Sequence, residues 1–151
     1  MTYMDVGADD DLQEALMAHA TDHEVFEPGE LVFKQGSKCN GVFLVTSGAF
    51  RVFLPNDRST ATIERIATPG CVLGLPSTVS GEPYSLTAEA VQRSEADHIS
   101  RANLTKLMQS DTTSAIKLLG LLSGEVRTLR TEMARGSTTR QRPKLSSPGR
   151  C

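Results

Sequence analysis

What most constrains this chain is a train of short apolar runs between Val25 and Ile99, each closed by glycine or proline. Val25-Phe26 leads into Pro28-Gly29, Leu31-Val32-Phe33 into Gly36, and Val42-Phe43-Leu44-Val45 into Gly48. Phe50-Arg51-Val52-Phe53 alternates and stops at Pro55-Asn56-Asp57, a hairpin signal from which Thr60 to Ile66 pairs back. Ala96-Asp97-His98-Ile99 closes the last run. Branched and aromatic side chains suit a pleated, half-buried surface, and glycine and proline supply the tight connections. With no helical pattern between them, such runs predict antiparallel strands packed as a sandwich or roll.

Helical patterns flank this region. Residues 9–20 start with three Asp, which favour the positive end of a helix dipole, and carry Leu12, Leu16 and Met17 on one side. His19 and His23 stand four apart, a metal-ligand spacing, but no third ligand is placed beside them, so a solvated pair is expected and no metal site. Ser100 is an N-cap for a helix with Leu104, Leu107 and Met108 on one side. A longer helix is expected from Thr113 to Arg135. Its Leu119, Leu122, Val126, Leu129 and Met133 step by three and four, an a/d seam with Glu125 at g and Arg130 at e. That seam predicts a homodimer; the alternative is a helix packed on its own domain. Gly120 and Gly124 lie off the seam, where they either admit the β-domain closely or play no part.

Between two strand runs lies Thr68 to Val91, with Pro69-Gly70, Gly74, then Ser77, Thr78, Ser80 and Gly81. By itself the stretch is either an ordinary long loop or a cradle of backbone N–H groups for an anion. Composition narrows the functions. With 5% aromatic residues and no Trp, an aromatic platform for stacked bases is not expected. Nine acids and no Lys or Arg occupy residues 1–30, and five cations and no acid occupy residues 135–151. That basic end is a solvated tail or a weak phosphate contact through Arg140, Arg142 and Lys144. Cys39, Cys71 and Cys151 are odd in number and lack a C-x-x-C spacing, which points to reduced thiols in the cytoplasm. Neither a leader nor a membrane-spanning run is expected. His98 stands alone, no H-x-H pair accompanies it, and no nucleophile elbow, P-loop or dinucleotide fingerprint occurs, so no enzyme is expected.

Four segments carry a resemblance: F-x-P-G-E-L-V-F-K-Q-G from Phe26 to Gly36, V-F-L-V-T-S-G-A-F-R-V from Val42 to Val52, P-G-C-V-L-G from Pro69 to Gly74, and L-T-A-E-A from Leu86 to Ala90. Together they resemble the sensory half of the Crp/Fnr superfamily of transcription regulators. The resemblance implies a mainly β fold with flanking helices, an antiparallel β-roll of the jelly-roll, cyclic-nucleotide-binding kind, and a long C-terminal dimerisation helix. It implies an acidic helical segment over 1–23, the roll over 24–110, the dimerisation helix over 111–135 and a basic disordered tail over 136–151. It places the ligand cassette at Gly74, Leu75, Pro76, Ser77, Tyr84, Ser85 and Thr87.

The chain departs from that pattern where it matters for binding. The Glu that holds the ribose is Leu75, and the Arg that pairs with the cyclic phosphate is Tyr84, or Ser85 with a slip of one. Without a bidentate guanidinium the cassette is expected to have lost several kcal/mol of affinity for cyclic AMP. No cofactor is expected, and an unidentified small effector is left as the ligand. The N-terminal cysteine cluster of the oxygen-sensing branch is absent. Regulators of this kind continue into a winged helix-turn-helix, whereas this sequence runs sixteen residues past Arg135. The expectation is therefore a sensor-and-dimer module, a truncated regulator or a fragment, which meets DNA only through a helix-turn-helix missing from this chain. The alternative is a ligand-free dimerisation module, its cassette filled by Leu75 and Tyr84, acting through heterodimers.

Overall fold

The computed structural model describes residues 4–55 and 64–140, and beyond residue 124 the side chains of residues 126, 127, 130, 131 and 134. The strands are β1 (Asp22–Phe26), β2 (Leu31–Phe33), β3 (Val42–Ser47), β4 (Phe50–Phe53), β5 (Glu64–Ala67), β6 (Val72–Leu73), β7 (Thr87–Ala90) and β8 (Ser94–Ile99). They form two antiparallel four-stranded sheets, β1-β8-β3-β6 and β2-β7-β4-β5. The sheets meet through aromatic side chains: the Phe26 and Phe50 rings cross edge to face at 5.6 Å, and Phe33 tilts against Phe43 at 6.1 Å. Val42 to Val45 are all buried, so both faces of β3 are covered. This is the expected jelly-roll. The β4–β5 pairing holds over Phe50↔Ala67 to Phe53↔Glu64, while Asn56, Asp57 and the first half of the returning run lie outside the described residues.

The helices are α1 (Asp10–Ala18), α2 (Leu75–Ser80), α3 (Arg101–Ser110) and α4 (Thr112–Arg140). Asp9 caps α1 by accepting from Leu12 N at 3.0 Å, and Leu12 and Leu16 are buried while Met17 is exposed. Ser100 caps α3 through Asn103 N at 3.1 Å, burying Leu104 and Leu107. Asp111 opens α4 by accepting from Ser114 N and Ser114 Oγ, which hold its carboxyl below the usual range. Lys117 on α4 reaches Asp9 at 2.9 Å, joining α4 to the start of α1. β1 begins at Asp22, two residues before the expected edge of the roll, and an N-terminal segment docks on β6, with Val72 N donating to Met4 O at 2.9 Å. Among the described residues no helix is long and apolar enough to cross a membrane.

Candidate functional site

The stretch after β6 is neither open loop nor empty cradle. Gly74 ends β6 with φ +82°, and the chain turns straight into α2, with Pro76 in its first turn and Gly81, again at φ +82°, closing it. Two left-handed glycines fix where so short a helix starts and stops. Its hydroxyls are spent internally: Thr78 Oγ1 donates to Gly74 O at 2.8 Å and Ser77 Oγ to Pro83 O at 3.1 Å. Leu75 is fully buried and Pro76 half-buried.

Tyr84 points inward and is buried. Its ring lies parallel to Phe33, centroids 3.8 Å apart at 6°. Its hydroxyl sits 2.7 Å from both Asn40 Oδ1 and Gly41 O and accepts from Asn40 N at 3.2 Å. A Cβ built on Gly74 would stand 2.9 Å from Tyr84 Cε1 and 3.3 Å from Phe33 Cε2, so glycine is required there on two counts. Burial is the main cause pushing the phenol well above its ordinary pKa, which keeps it neutral. The main chain on either side is pinned as well, Gly36 N donating to Tyr84 O and Tyr84 N to Ser37 O.

The expected cassette is thus partly assembled. Gly74, Leu75, Pro76, Ser77 and Tyr84 come together; Ser85 is exposed; Thr87 is buried on β7, where its Oγ1 accepts from Gln35 N at 2.9 Å. Sequence reasoning missed Phe33 and Asn40, which hold the tyrosine, and Arg101. The Arg101 guanidinium lies outside the cassette, against Gly81, where its Nε donates to Thr78 O at 2.9 Å and caps α2. A shallow concavity of about 490 Å³ lies elsewhere, lined by Asp5, Asp9, Asp10 and Asp11, a wall that repels anions.

Along α4, Leu119 and Val126 of the expected seam are exposed, as are Arg130 and, off the seam, Ile116. Leu118 is the apolar residue of α4 buried in the domain core, where the helix packs on α3 and α1, with Leu122 half-buried against that core; the side chains of Glu125, Leu129 and Met133 lie outside the described set. The first half of the helix therefore docks on its own domain, while the seam's Leu119 and Val126 stay free. A Cβ on Gly120 would meet nothing within 4 Å, so that glycine admits no close neighbour. The two N-terminal histidines do not share a helix face. His19 follows α1, its Nδ1 bonded to Ala15 O at 2.9 Å; His23 lies on β1 between Asp97 at 2.6 Å and Glu95 at 2.7 Å. Cys39 and Cys71 are free thiols, and burial pushes Cys71 up in pKa.

The family model described as "Cyclic nucleotide-binding domain" matches residues 23–111. The "Transcriptional activator protein anr" of Pseudomonas aeruginosa is 30% identical over 99 residues, 66% of this chain and 40% of the relative. Among solved structures, the Thermus thermophilus catabolite activator protein superimposes with a TM-score of 0.76 at 22% identity, over 87% of this chain and 62% of that one. FixK2 from Bradyrhizobium japonicum does so at 0.67 and 27% identity, over 76% of this chain and 56% of that one. The sequence spans 40% of the length of the curated relatives it matches.

Proposed function

The chain belongs to the cyclic nucleotide-binding domain family, in its Crp/Fnr group of regulators, and on that premise we propose that it is a sensor domain whose cassette is stoppered by its own tyrosine and takes neither cyclic AMP nor cyclic GMP at signalling concentrations. One observation carries this reading: the buried, neutral Tyr84, stacked on Phe33 and bonded to the Asn40–Gly41 turn, fills the space in front of Gly74. A cyclic phosphate would have to displace that ring and then lie without a guanidinium, since Arg101 is committed to Thr78. A buried charge without a countercharge costs several kcal/mol.

In this proposal the remnant cassette, Gly74 to Ser77 and Tyr84 to Thr87, serves an uncharged effector. The roll, which begins at β1 (Asp22), rides on α4 (Thr112–Arg140) as its dimerisation helix, five residues longer at its end than the expected 111–135, with the residues before Asp22 as an acidic lead and those after Arg140 as a basic tail. Two copies meet along Leu119, Leu122, Val126, Leu129 and Met133, with Glu125 facing Arg130; the exposed Leu119 and Val126 support this. The protein acts in the cytoplasm as a regulator, not a catalyst. Calorimetric titration with both cyclic nucleotides is expected to give no binding, and light scattering on a sizing column a dimer mass. Micromolar cyclic AMP binding overturns the reading.

A second reading, a ligand-free module that pairs with a longer relative, is favoured by the complete burial of both Leu75 and Tyr84. A thermal-shift screen of uncharged metabolites separates the two, since an effector that binds only the folded state raises its melting temperature.

A further inference from the structure

The pairing of β1 with β8 sets Asp22 opposite His98 and Glu24 opposite Ala96. Residues two apart on a strand share a face, so Asp22, Glu24 and His98 converge on one patch although 76 positions separate the first from the last. Asp22 Oδ2 stands 3.5 Å from His98 Nδ1 and Glu24 Oε2 4.0 Å from it, and one donor atom from each of the three lies within 4.8 Å of the others.

The imidazole is held from behind. It stacks on Phe43, centroids 4.8 Å apart, and its side chain is largely covered. Its Nε2 lies 2.8 Å from Asn40 O, and because a carbonyl only accepts, Nε2 carries the hydrogen. Gly41 presses the turn against the ring: its φ is +131°, and a Cβ there would lie 2.9 Å from Nε2. In the neutral ring the lone pair is therefore on Nδ1, aimed between two carboxylates. A ring nitrogen bonded to a backbone carbonyl, with the other left free, is how proteins orient a metal-ligating histidine.

The spacings agree. Ligand bonds of about 2.1 Å at tetrahedral angles put donor atoms about 3.4 Å apart. One imidazole nitrogen with two carboxylate oxygens suits a first-row divalent ion such as Zn²⁺; Ca²⁺ and Mg²⁺ prefer all-oxygen shells. We propose that Asp22, Glu24 and His98 form a divalent transition-metal site on the β1–β8 edge, with three protein ligands and a remaining position open to water. The half-exposed carboxylates make it a solvent-accessible, exchangeable site.

The test is calorimetric titration of the full chain with ZnCl₂, run on wild type, Asp22→Asn, Glu24→Gln, His98→Gln and His23→Gln. The expected result is one high-affinity site in wild type, weakened at least about tenfold by each of the first three substitutions. His23→Gln is expected to bind as wild type, because His23 sits on the opposite face of β1 with Glu95 and Asp97. In parallel, Zn²⁺ should shift the imidazole resonances of His98 and not those of His23. Asp22 and Glu24 point to solvent, so their substitutions leave the fold intact and keep the test decisive even if His98→Gln unfolds. Absence of stoichiometric binding, or binding that Asp22→Asn and Glu24→Gln leave unchanged, overturns the proposal; the first outcome leaves a histidine merely paired with carboxylates, the second moves the ion to the thiols or to His23.

Discussion

Tyr84 is a permanent part of the core or a gate that swings out, and its substitution energies distinguish the two. The side chain is 2% exposed, so the whole ring is at stake. Tyr84→Phe deletes only the hydroxyl and strands the Asn40 and Gly41 groups that bond to it, costing about 1–3 kcal/mol. Tyr84→Ala also removes the ring stacked on Phe33 and leaves a cavity beside Gly74, a further loss of about 3–5 kcal/mol. Urea unfolding should show the two variants in that order, by shifts of the midpoint at constant slope. The phenol adds a pH signature. Its folded-state pKa lies above the unfolded value of about 10, so its contribution is complete below that pH and falls as the solution grows more alkaline, by up to about 1.4 kcal/mol per unit. The difference between wild type and Tyr84→Phe should therefore shrink above pH ~10. Both variants falling within about 0.5 kcal/mol of wild type would refute the reasoning, because a ring that spends its time outside the cassette costs little to delete.

Three further outcomes follow from the geometry. The bonds from His23 to Asp97 and then to Glu95 raise its pKa, so their stabilisation is full below pH ~6.5 and is lost as pH rises through the folded-state value; a resonance titration should place that value above 6.5, and His23→Gln should remove this part of the pH dependence. Gly120→Ala adds a methyl group into open space on a helix and should raise stability by about 1 kcal/mol in urea; a loss instead would reveal a close neighbour across a dimer. Leu119 and Val126 are 53% and 49% exposed, so the double change Leu119→Glu, Val126→Glu should halve the mass seen by light scattering while leaving the circular dichroism spectrum unchanged; an unaltered dimer mass would place the contact elsewhere.

What was legible in the sequence is what local pattern encodes. Alternation in Phe50 to Phe53, the Leu12/Leu16 pair and the Ser100 cap act over one to four residues, and each appears where its spacing puts it. α2 was not legible because LPSTVS has no helical apolar period; two glycines and a proline define it, and those also write a loop. On α4 the pattern was ambiguous in a specific way. Leu118, Leu119, Leu121 and Leu122 offer leucine on more than one side, so a heptad can be drawn through Leu119 while the domain core, beside α1 and α3, takes Leu118. The three residues on the β1–β8 edge were invisible for another reason: their meeting depends on strand register, and a slip of one residue would turn Asp22 and Glu24 to the other face.

Asn40 connects the two places where this chain departs from expectation. Its side chain and N–H hold the Tyr84 hydroxyl, and its carbonyl fixes the His98 ring. Any ligand that expelled Tyr84 would leave Asn40 Oδ1 and Gly41 O without a donor and the Asn40 N–H without an acceptor inside the protein, at about 1–3 kcal/mol for each group left unpaired. Such a ligand would have to offset this by bringing its own hydroxyl or N–H to the same spot and a flat apolar surface to Phe33. An anionic cyclic phosphate brings acceptors where donors are needed. In the proposed reading, tyrosine at position 84 therefore does more than withhold a countercharge: it leaves Asn40 Oδ1 and Gly41 O as acceptors that any occupant must satisfy, on the same turn whose Asn40 carbonyl holds the His98 ring.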